Sequence, residues 1–313
     1  MGTLTTRPYA PTDAAALADL LNALETRAGG HPGWTAVELG PMLDSTVRDT
    51  AADSRMAWTA DGTLAATAIV STPPVNGFRV DLWGGVHPDW QGRGLGRELF
   101  DWQLDRSAEI HQATAPDVAW QAHATTLVAD EPARRLFRRF GLTPARYWFE
   151  MSAPTADPPA LALPDGLRVV GYDPAREDAV YAAHMEAFTD HWGYQRRERA
   201  DWLAMTVRSA GFRPEFSVLA LDGEEIAGYV LSYRYGDPRC VYIGAVGVRR
   251  PWRRRGIAAA LLARVLRAAA GTGYDRANLG VDADSPTGAV GVYERVGFGV
   301  DHRAVTYSMS LPR

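Results

Sequence analysis

The chain has 313 residues, with 46% apolar side chains and a formal net charge of −4. That is long and apolar enough for two domains with a core each, and a mildly acidic balance argues against a nucleic-acid-binding protein. A single cysteine, Cys240, excludes an internal disulfide framework, and no His/Cys/carboxylate cluster has metal-ligand spacing, so no metal is expected. No basic segment precedes an apolar h-region and no apolar run approaches a membrane span, so a cytoplasmic protein without membrane contact is expected.

In chain order, Leu4–Arg7 reads as a strand and Asp13 precedes a helical pattern carrying Leu17, Leu20, Leu21 and Leu24, stopped by Gly29-Gly30. Thr35–Val47 reads as a second helix. Met56–Thr59 and Leu64–Val70 read as strands joined at Asp61-Gly62. Pro73-Pro74 and Asn76-Gly77 break the chain before a strand at Phe78–Val86. A glycine-rich turn, Gln91-Gly92-Arg93-Gly94-Leu95-Gly96, leads into a helix ending near Ala113. A strand at Val118–Ala122, a helix at Pro132–Phe140 and a strand at Tyr147–Met151 complete the half.

Ser152–Gly166 contains four prolines without a regular period and reads as a linker between domains at 1–151 and 167–313. The second half repeats the element order. Leu167–Val170 is a strand, Glu177–Phe188 and Arg197–Ser209 are helices, and Phe216–Leu221 with Ile226–Tyr235 form a hairpin through Asp222-Gly223. Then come a strand at Val241–Val248, a helix at Arg255–Ala270, a strand at Arg276–Val281, a helix at Pro286–Val296 capped by Ser285, and a strand at Val305–Met309.

Between that fourth strand and its helix lie five arginines within seven residues, Arg249 to Arg255. A strand–turn–helix of this kind aims backbone N–H groups at one point, at the positive end of a helix dipole. Glycine at 256 lets an anion approach the backbone. The halves match in register: Val86 with Val248, Trp90 with Trp252, Arg93 with Arg255, Gly94 with Gly256, Phe137 with Tyr293 and Gly141 with Gly297. A duplicated domain follows.

The hexapeptides Gln91–Gly96 and Arg253–Ala258, each after a strand and opening a helix, resemble the acyl-CoA signature of the GNAT (N-acetyltransferase) superfamily. The downstream stretch Ser285–Phe298, with Tyr293 and Gly297, is similar to a second segment of that superfamily. Two such domains in this length resemble the layout of the mycothiol synthase-type tandem acetyltransferases. The resemblance implies an α/β (α+β) fold with two GNAT-like domains. Each would be a mixed twisted sheet flanked by helices and splayed between its fourth and fifth strands.

It also implies a donor, acetyl-CoA or another acyl-CoA, and direct transfer to a primary amine of a small molecule or peptide. Arg253, Arg254, Arg255, Gly256 and Ala258 would hold the phosphates, as would Gln91, Arg93, Gly94 and Gly96 in the first half. Backbone groups near Ala245, Val246, Gly247 and Val248 would face the acyl carbonyl. Tyr293 would protonate the leaving thiolate, a role Phe137 cannot fill, so the second domain is expected to be catalytic and the first to support it. Asp190 and His191, between two helices that roof the acceptor site in this superfamily, are candidates to bind and deprotonate the amine. Glu186, Tyr233, Tyr242 and Asp282, or a water chain, are further candidates for the base. In the first half, Asp81, Trp83, His31, Trp34 and Trp58 are nearby candidates. A monomer or homodimer is expected. A non-catalytic acyl-CoA-binding protein, and an enzyme of the mycothiol synthase or antibiotic-modifying kind, are the alternatives.

Overall fold

The computed structural model describes residues 4–71 and 77–311 and divides the chain into two compact units. The first takes Met1–Tyr147 with Arg303–Arg313, and the second takes Trp148–His302. The proline break expected after residue 71 falls largely outside the described residues.

Unit 1 runs β1 (Thr5–Arg7), α1 (Ala14–Arg27), α2 (Ala36–Thr46), β2 (Ser54–Trp58), β3 (Leu64–Ser71), β4 (Arg79–Val86), α3 (Leu95–Thr114), β5 (Gln121–Leu127) and α4 (Glu131–Arg139). After β6 (Thr143–Pro154), unit 2 repeats the order as β7 (Leu167–Gly171), α5 (Glu177–Ala187), α6 (Arg199–Met205), β8 (Val218–Asp222), β9 (Glu225–Tyr233), β10 (Cys240–Val248), α7 (Ile257–Ala270), β11 (Arg276–Asp282) and α8 (Ala289–Val296), before β12 (Gly299–Ser310). Within each unit the first four strands pair antiparallel in sequence order.

The fourth and fifth strands of each unit are parallel neighbours. β3 is buried along its whole length, because helices cover both faces of its sheet. Its Ile69 packs with α1 and α2, while Val70 packs with Phe100 of α3. α7 is alanine-rich, which favours the helix, and its Leu261, Leu262, Val265 and Leu266 enter the core of unit 2.

The last strands do not follow the halves of the sequence. From Trp148 onward β6 pairs antiparallel with β11, so it belongs to unit 2. From Ala304 onward β12 pairs antiparallel with β5, so it belongs to unit 1. The expected boundaries at 151 and 167 therefore differ from the compact units. The alternation is the reason. Val305 and Tyr307 are buried in the core of unit 1 beside Phe137 and Leu142, whereas Met151 and Ala153 are buried in the core of unit 2.

The stretch read as a linker is also not free. Ser152–Pro154 stays in the ladder with β11, the Thr155 hydroxyl donates to the Tyr274 carbonyl, and Leu161 and Leu163 pack on the core under α7. β5 begins three residues later than Val118 because Ala122 and Ala124, small residues that mark a strand weakly, supply its buried face.

A chain ending at His302 loses Val305 and Tyr307 from unit 1. Removing two such buried side chains costs at least about 4 kcal/mol. The expected outcome is a fall of about 10 °C or more in the unfolding midpoint of unit 1, read by calorimetry. A chain of residues 1–151 is expected not to unfold cooperatively, and joining residues 303–313 to it restores the transition.

Candidate active site

The ladder between β4 and β5 spans three register pairs, Arg79↔Gln121, Val80↔Ala122 and Asp81↔His123. The ladder between β10 and β11 likewise spans Cys240↔Arg276, Val241↔Ala277 and Tyr242↔Asn278. Beyond these pairs the strands part, as the family resemblance implied. Along the parted length β10 still pairs with β9, from Ala245↔Leu231 to Val248↔Gly228. In an antiparallel ladder, alternate residues turn their backbone groups to the other side. Between Ala245 and Val248 that side is the splay.

Glycines allow the bend. β10 carries a bulge between Ile243 and Ala245, and a Cβ on Gly244 would stand 2.3 Å from the Tyr233 ring. A Cβ on Gly247 would stand 2.4 Å from the Tyr229 hydroxyl, so this phenol lies directly against β10. In unit 1, Gly84 has φ +122° and a Cβ there would collide with the Thr67 carbonyl at 2.2 Å.

At the wide end of each splay the two loops share a backbone shape. Gly92 and Gly94 have φ of +77° and +89°, and Arg254 and Gly256 have φ of +62° and +83°. The matched side chains Gln91 and Arg253 make the same bond, donating to the carbonyls of Val86 and Val248 at 3.1 Å. Each loop opens a helix whose first N–H groups have no partner within the helix. Arg254 and Arg255 are exposed, and among the described residues neither enters an ion pair, so both are available to an anion. Arg93 lies over the Trp90 ring at 4.4 Å and donates to the Asp89 carbonyl.

In unit 1 a cavity of about 690 Å³ runs along the splay. Its lining extends from the loop at Gln91–Arg97 through Asp81 and His123, the last register pair, to Phe137 of α4. The volume is that of a pocket for a sizeable small molecule. The lining combines the loop's backbone at one end with Leu99, Phe100, Leu136 and Phe137 further along the slot. Asp81, Trp83 and Trp34 line this cavity, and Trp34 meets Trp83 edge-on at 6.1 Å. Trp58 packs instead with the core around α1 and α2, under Arg7.

In unit 2 Tyr293 packs against the core beside Phe298. Burial, and then the nearby Tyr242, push its hydroxyl well above the ordinary phenol range, so it carries its proton at neutral pH. Phe137, its counterpart, packs between Phe100 and Tyr307 and offers no proton.

Asp190 and His191, the candidates to bind and deprotonate the amine, turn to different partners. The Asp190 carboxylate is held by Arg250 at 2.7 Å and Arg253 at 2.8 Å, and these bonds to Arg253 and Arg250 lower its pKa. A carboxylate stabilised in that way is a poor base. Its place is at the arginine loop, where Glu186 plays a similar part by binding Arg249 at 2.7 Å. His191 is a slab in an aromatic stack, with its ring 5.6 Å from Phe188 and 5.9 Å from Trp148.

Three polar groups at the splays escape sequence reasoning. His184 of α5 stacks on Phe188 at 4.3 Å and has Nδ1 2.9 Å from the Tyr229 hydroxyl. Burial, with His191 second, lowers its pKa to about 4. Burial, with Arg79 second, lowers His123 to about 4 as well. Glu150, on β6, sits in register with Gly280 of β11. The two histidines carry no local motif, and Glu150 lies in the half of the sequence that does not build unit 2's other elements.

The profile of the Acetyltransferase (GNAT) family matches residues 18–142 and 177–298, once in each half. Since the matches cover most of the chain, it belongs to that family and is an acetyl-CoA-dependent N-acetyltransferase built of tandem GNAT domains. Among its relatives is the mycothiol acetyltransferase of Salinispora tropica, 32% identical over 95% of this chain and 94% of the relative. The mycothiol acetyltransferase of Thermobispora bispora is 32% identical over 68% of this chain and 70% of the relative.

Among solved structures, a GCN5-related N-acetyltransferase from Sphaerobacter thermophilus superposes with a TM-score of 0.82 at 30% identity, over 99% of this chain and 96% of the other. A tandem GNAT protein from the clavulanic acid biosynthesis pathway shares the fold with a TM-score of 0.72 at 18% identity, over 99% of both chains. No described helix is long and apolar enough to cross a membrane, and no described cluster of ligating side chains could hold a metal.

His123 and His184 are neutral in the fold and titrate near 4, against 6.5 when unfolded. The unfolded chain thus binds more protons between these values, so stability is full above pH 6.5 and falls as the pH drops towards 4. The expected loss at pH 5 is about 2 kcal/mol per histidine. Thermal melts at pH 7.5 and 5.0 check this, and a His123→Phe variant is expected to flatten the pH dependence of unit 1 alone.

Proposed function

We propose that unit 2 performs the transfer and that unit 1 holds acyl-CoA without turning it over. The observation that carries this reading is the hydroxyl of Tyr293 at a position where unit 1 has Phe137. Acyl-CoA, when bound, supplies the activated thioester. The rest falls to the chain's own groups. Arg254, Arg255 and the backbone N–H groups of Gly256 to Ala258 bind the phosphates, with Arg253 acting through its main chain because its guanidinium is occupied. Backbone N–H groups between Ala245 and Val248 stabilise the negative charge that develops on the acyl oxygen. Tyr293 gives its proton to the departing sulfur. In unit 1, Gln91, Arg93, Gly94 and Gly96 form the second cradle.

The acceptor in this reading is the primary amine of a small molecule, met in the cytoplasm by a monomer or homodimer. The 32% identity to the mycothiol acetyltransferase of Salinispora tropica makes the amine precursor of mycothiol the first acceptor to assay.

Tyr293→Phe is expected to lower kcat about 100-fold with acetyl-CoA affinity unchanged, followed by thiol release and calorimetry. Gly256→Glu is expected to abolish turnover, while Gly94→Glu removes one of two acetyl-CoA equivalents and leaves turnover intact. Full activity in Tyr293→Phe together with loss in Gly94→Glu would assign the chemistry to unit 1. Acetyl-CoA binding without transfer to any amine would make the chain a binding protein.

A further inference from the structure

β10 carries no carboxylate or histidine, so on that strand unit 2 has no group to take the acceptor's proton. The neighbouring β6 does. Its ladder with β11 alternates cleanly: Phe149, Met151 and Ala153 enter the core under α7, which places Trp148, Glu150 and Ser152 on the opposite face. Tyr242 of β10 belongs to the cluster of α5 and α6 on that same face. Glu150 stands opposite Gly280, which has no side chain, and a Cβ added there would be 3.8 Å from the Tyr242 hydroxyl. Glycine at 280 thus puts no side chain of β11 between Glu150 and the Tyr242 hydroxyl.

Tyr242 lies near enough to both this carboxylate and Tyr293 to interact with them electrostatically. Its hydroxyl is raised by burial and then by the charge of Glu150, and it in turn raises Tyr293. The Glu150 side chain reaches solvent, and desolvation by its surroundings raises its carboxyl above the ordinary range. The other titratable groups facing it are His302, which lowers it, and Asp301, which raises it. Two residues along the same face, Trp148 stacks with His191 and meets Trp192 edge-on, both at 5.9 Å. A carboxylate beside an aromatic wall suits a cation carried on a flat or apolar body.

We infer that Glu150, delivered by β6, binds the acceptor's ammonium in unit 2 and takes its proton, with Trp148, His191 and Trp192 as the wall against which the body of the amine lies. The inference rests on the reading of unit 2 as the catalytic unit. The acceptor class is a primary ammonium bearing a ring or similarly flat group. Of the two protons the ammonium sheds on becoming an amide, one passes to Glu150 and on to solvent. The other balances the proton that Tyr293 donates to the sulfur as the C–S bond breaks and the C–N bond forms.

The test titrates phenethylamine, tryptamine and glucosamine into the full chain saturated with CoA, and follows thiol release with acetyl-CoA at varied pH. Glu150→Gln is expected to weaken binding of the amines that bind the wild type at least tenfold. It should also lower kcat/KM at least 100-fold, remove the acid limb of the pH profile and leave CoA affinity within twofold. Glu150→Asp should recover part of the activity with that limb restored. Equal amine binding and an unchanged pH profile in Glu150→Gln, or no binding of any of the three amines to the wild type, would overturn the inference. If wild-type turnover is intact and Glu150→Gln matches it, this inference alone fails. If the wild type transfers nothing yet amine binding still depends on Glu150, the catalytic reading fails and the acceptor site stands.

Discussion

Each unit depends on a parallel ladder that stops after three register pairs. A parallel pair left open is costly, because each unpaired backbone group in a protected slot has lost its water. The fold offsets this by holding β4 and β10 firmly on their other sides, through β3 and β9. What remains is a slot with fixed, unpaired donors along one wall. Such a slot suits an extended ligand with amide groups of its own, and it places the helix N-terminus at the wide end without further design.

The loops at that end owe their shape to backbone more than to charge. The ion pairs of Arg250 and Arg253 with Asp190 are partly exposed, and pairs of that kind contribute little net stability. The left-handed residues at 92 and 94, and at 254 and 256, recur in both units although one loop has a single arginine between Gln91 and Gly96 and the other is dense with them. Arg254 adopts a conformation that costs a non-glycine residue about 1 kcal/mol. Keeping an arginine there is understandable if its exposed guanidinium serves the anion. The carboxylates of Glu186 and Asp190 moor the end of α5 to the loop.

Much of this was legible in the residues. The element order, the duplication, both loops and the contrast between Tyr293 and Phe137 are written in short-range patterns of glycine, proline and apolar spacing. The splay itself is not local, and it came from family resemblance. For Asp190 and His191, adjacency in sequence says nothing about direction: one side chain turns to the arginines, the other lies between two rings. His184 and His123 were invisible for the opposite reason. Each is a lone polar residue in an apolar setting, and only the packed fold reveals that burial holds it neutral.

The deepest departure from a reading by halves is the course of the last strands. A duplicated domain suggests that each half supplies its own site, so a missing group in one half looks like lost function. Here β6 follows α4 of the first half in sequence yet lies beside β11, and β12 closes the chain yet lies beside β5. Side chains at 148, 150 and 152 therefore act on unit 2, and those at 305 and 307 stabilise unit 1. The ring stack makes the point physically. It runs from His184 through Phe188 and His191 to Trp148, so a residue written in the first half ends a row begun in the second. The inventory of each site has to be drawn from the sheet, and on the sheet unit 2 does not lack a carboxylate at all.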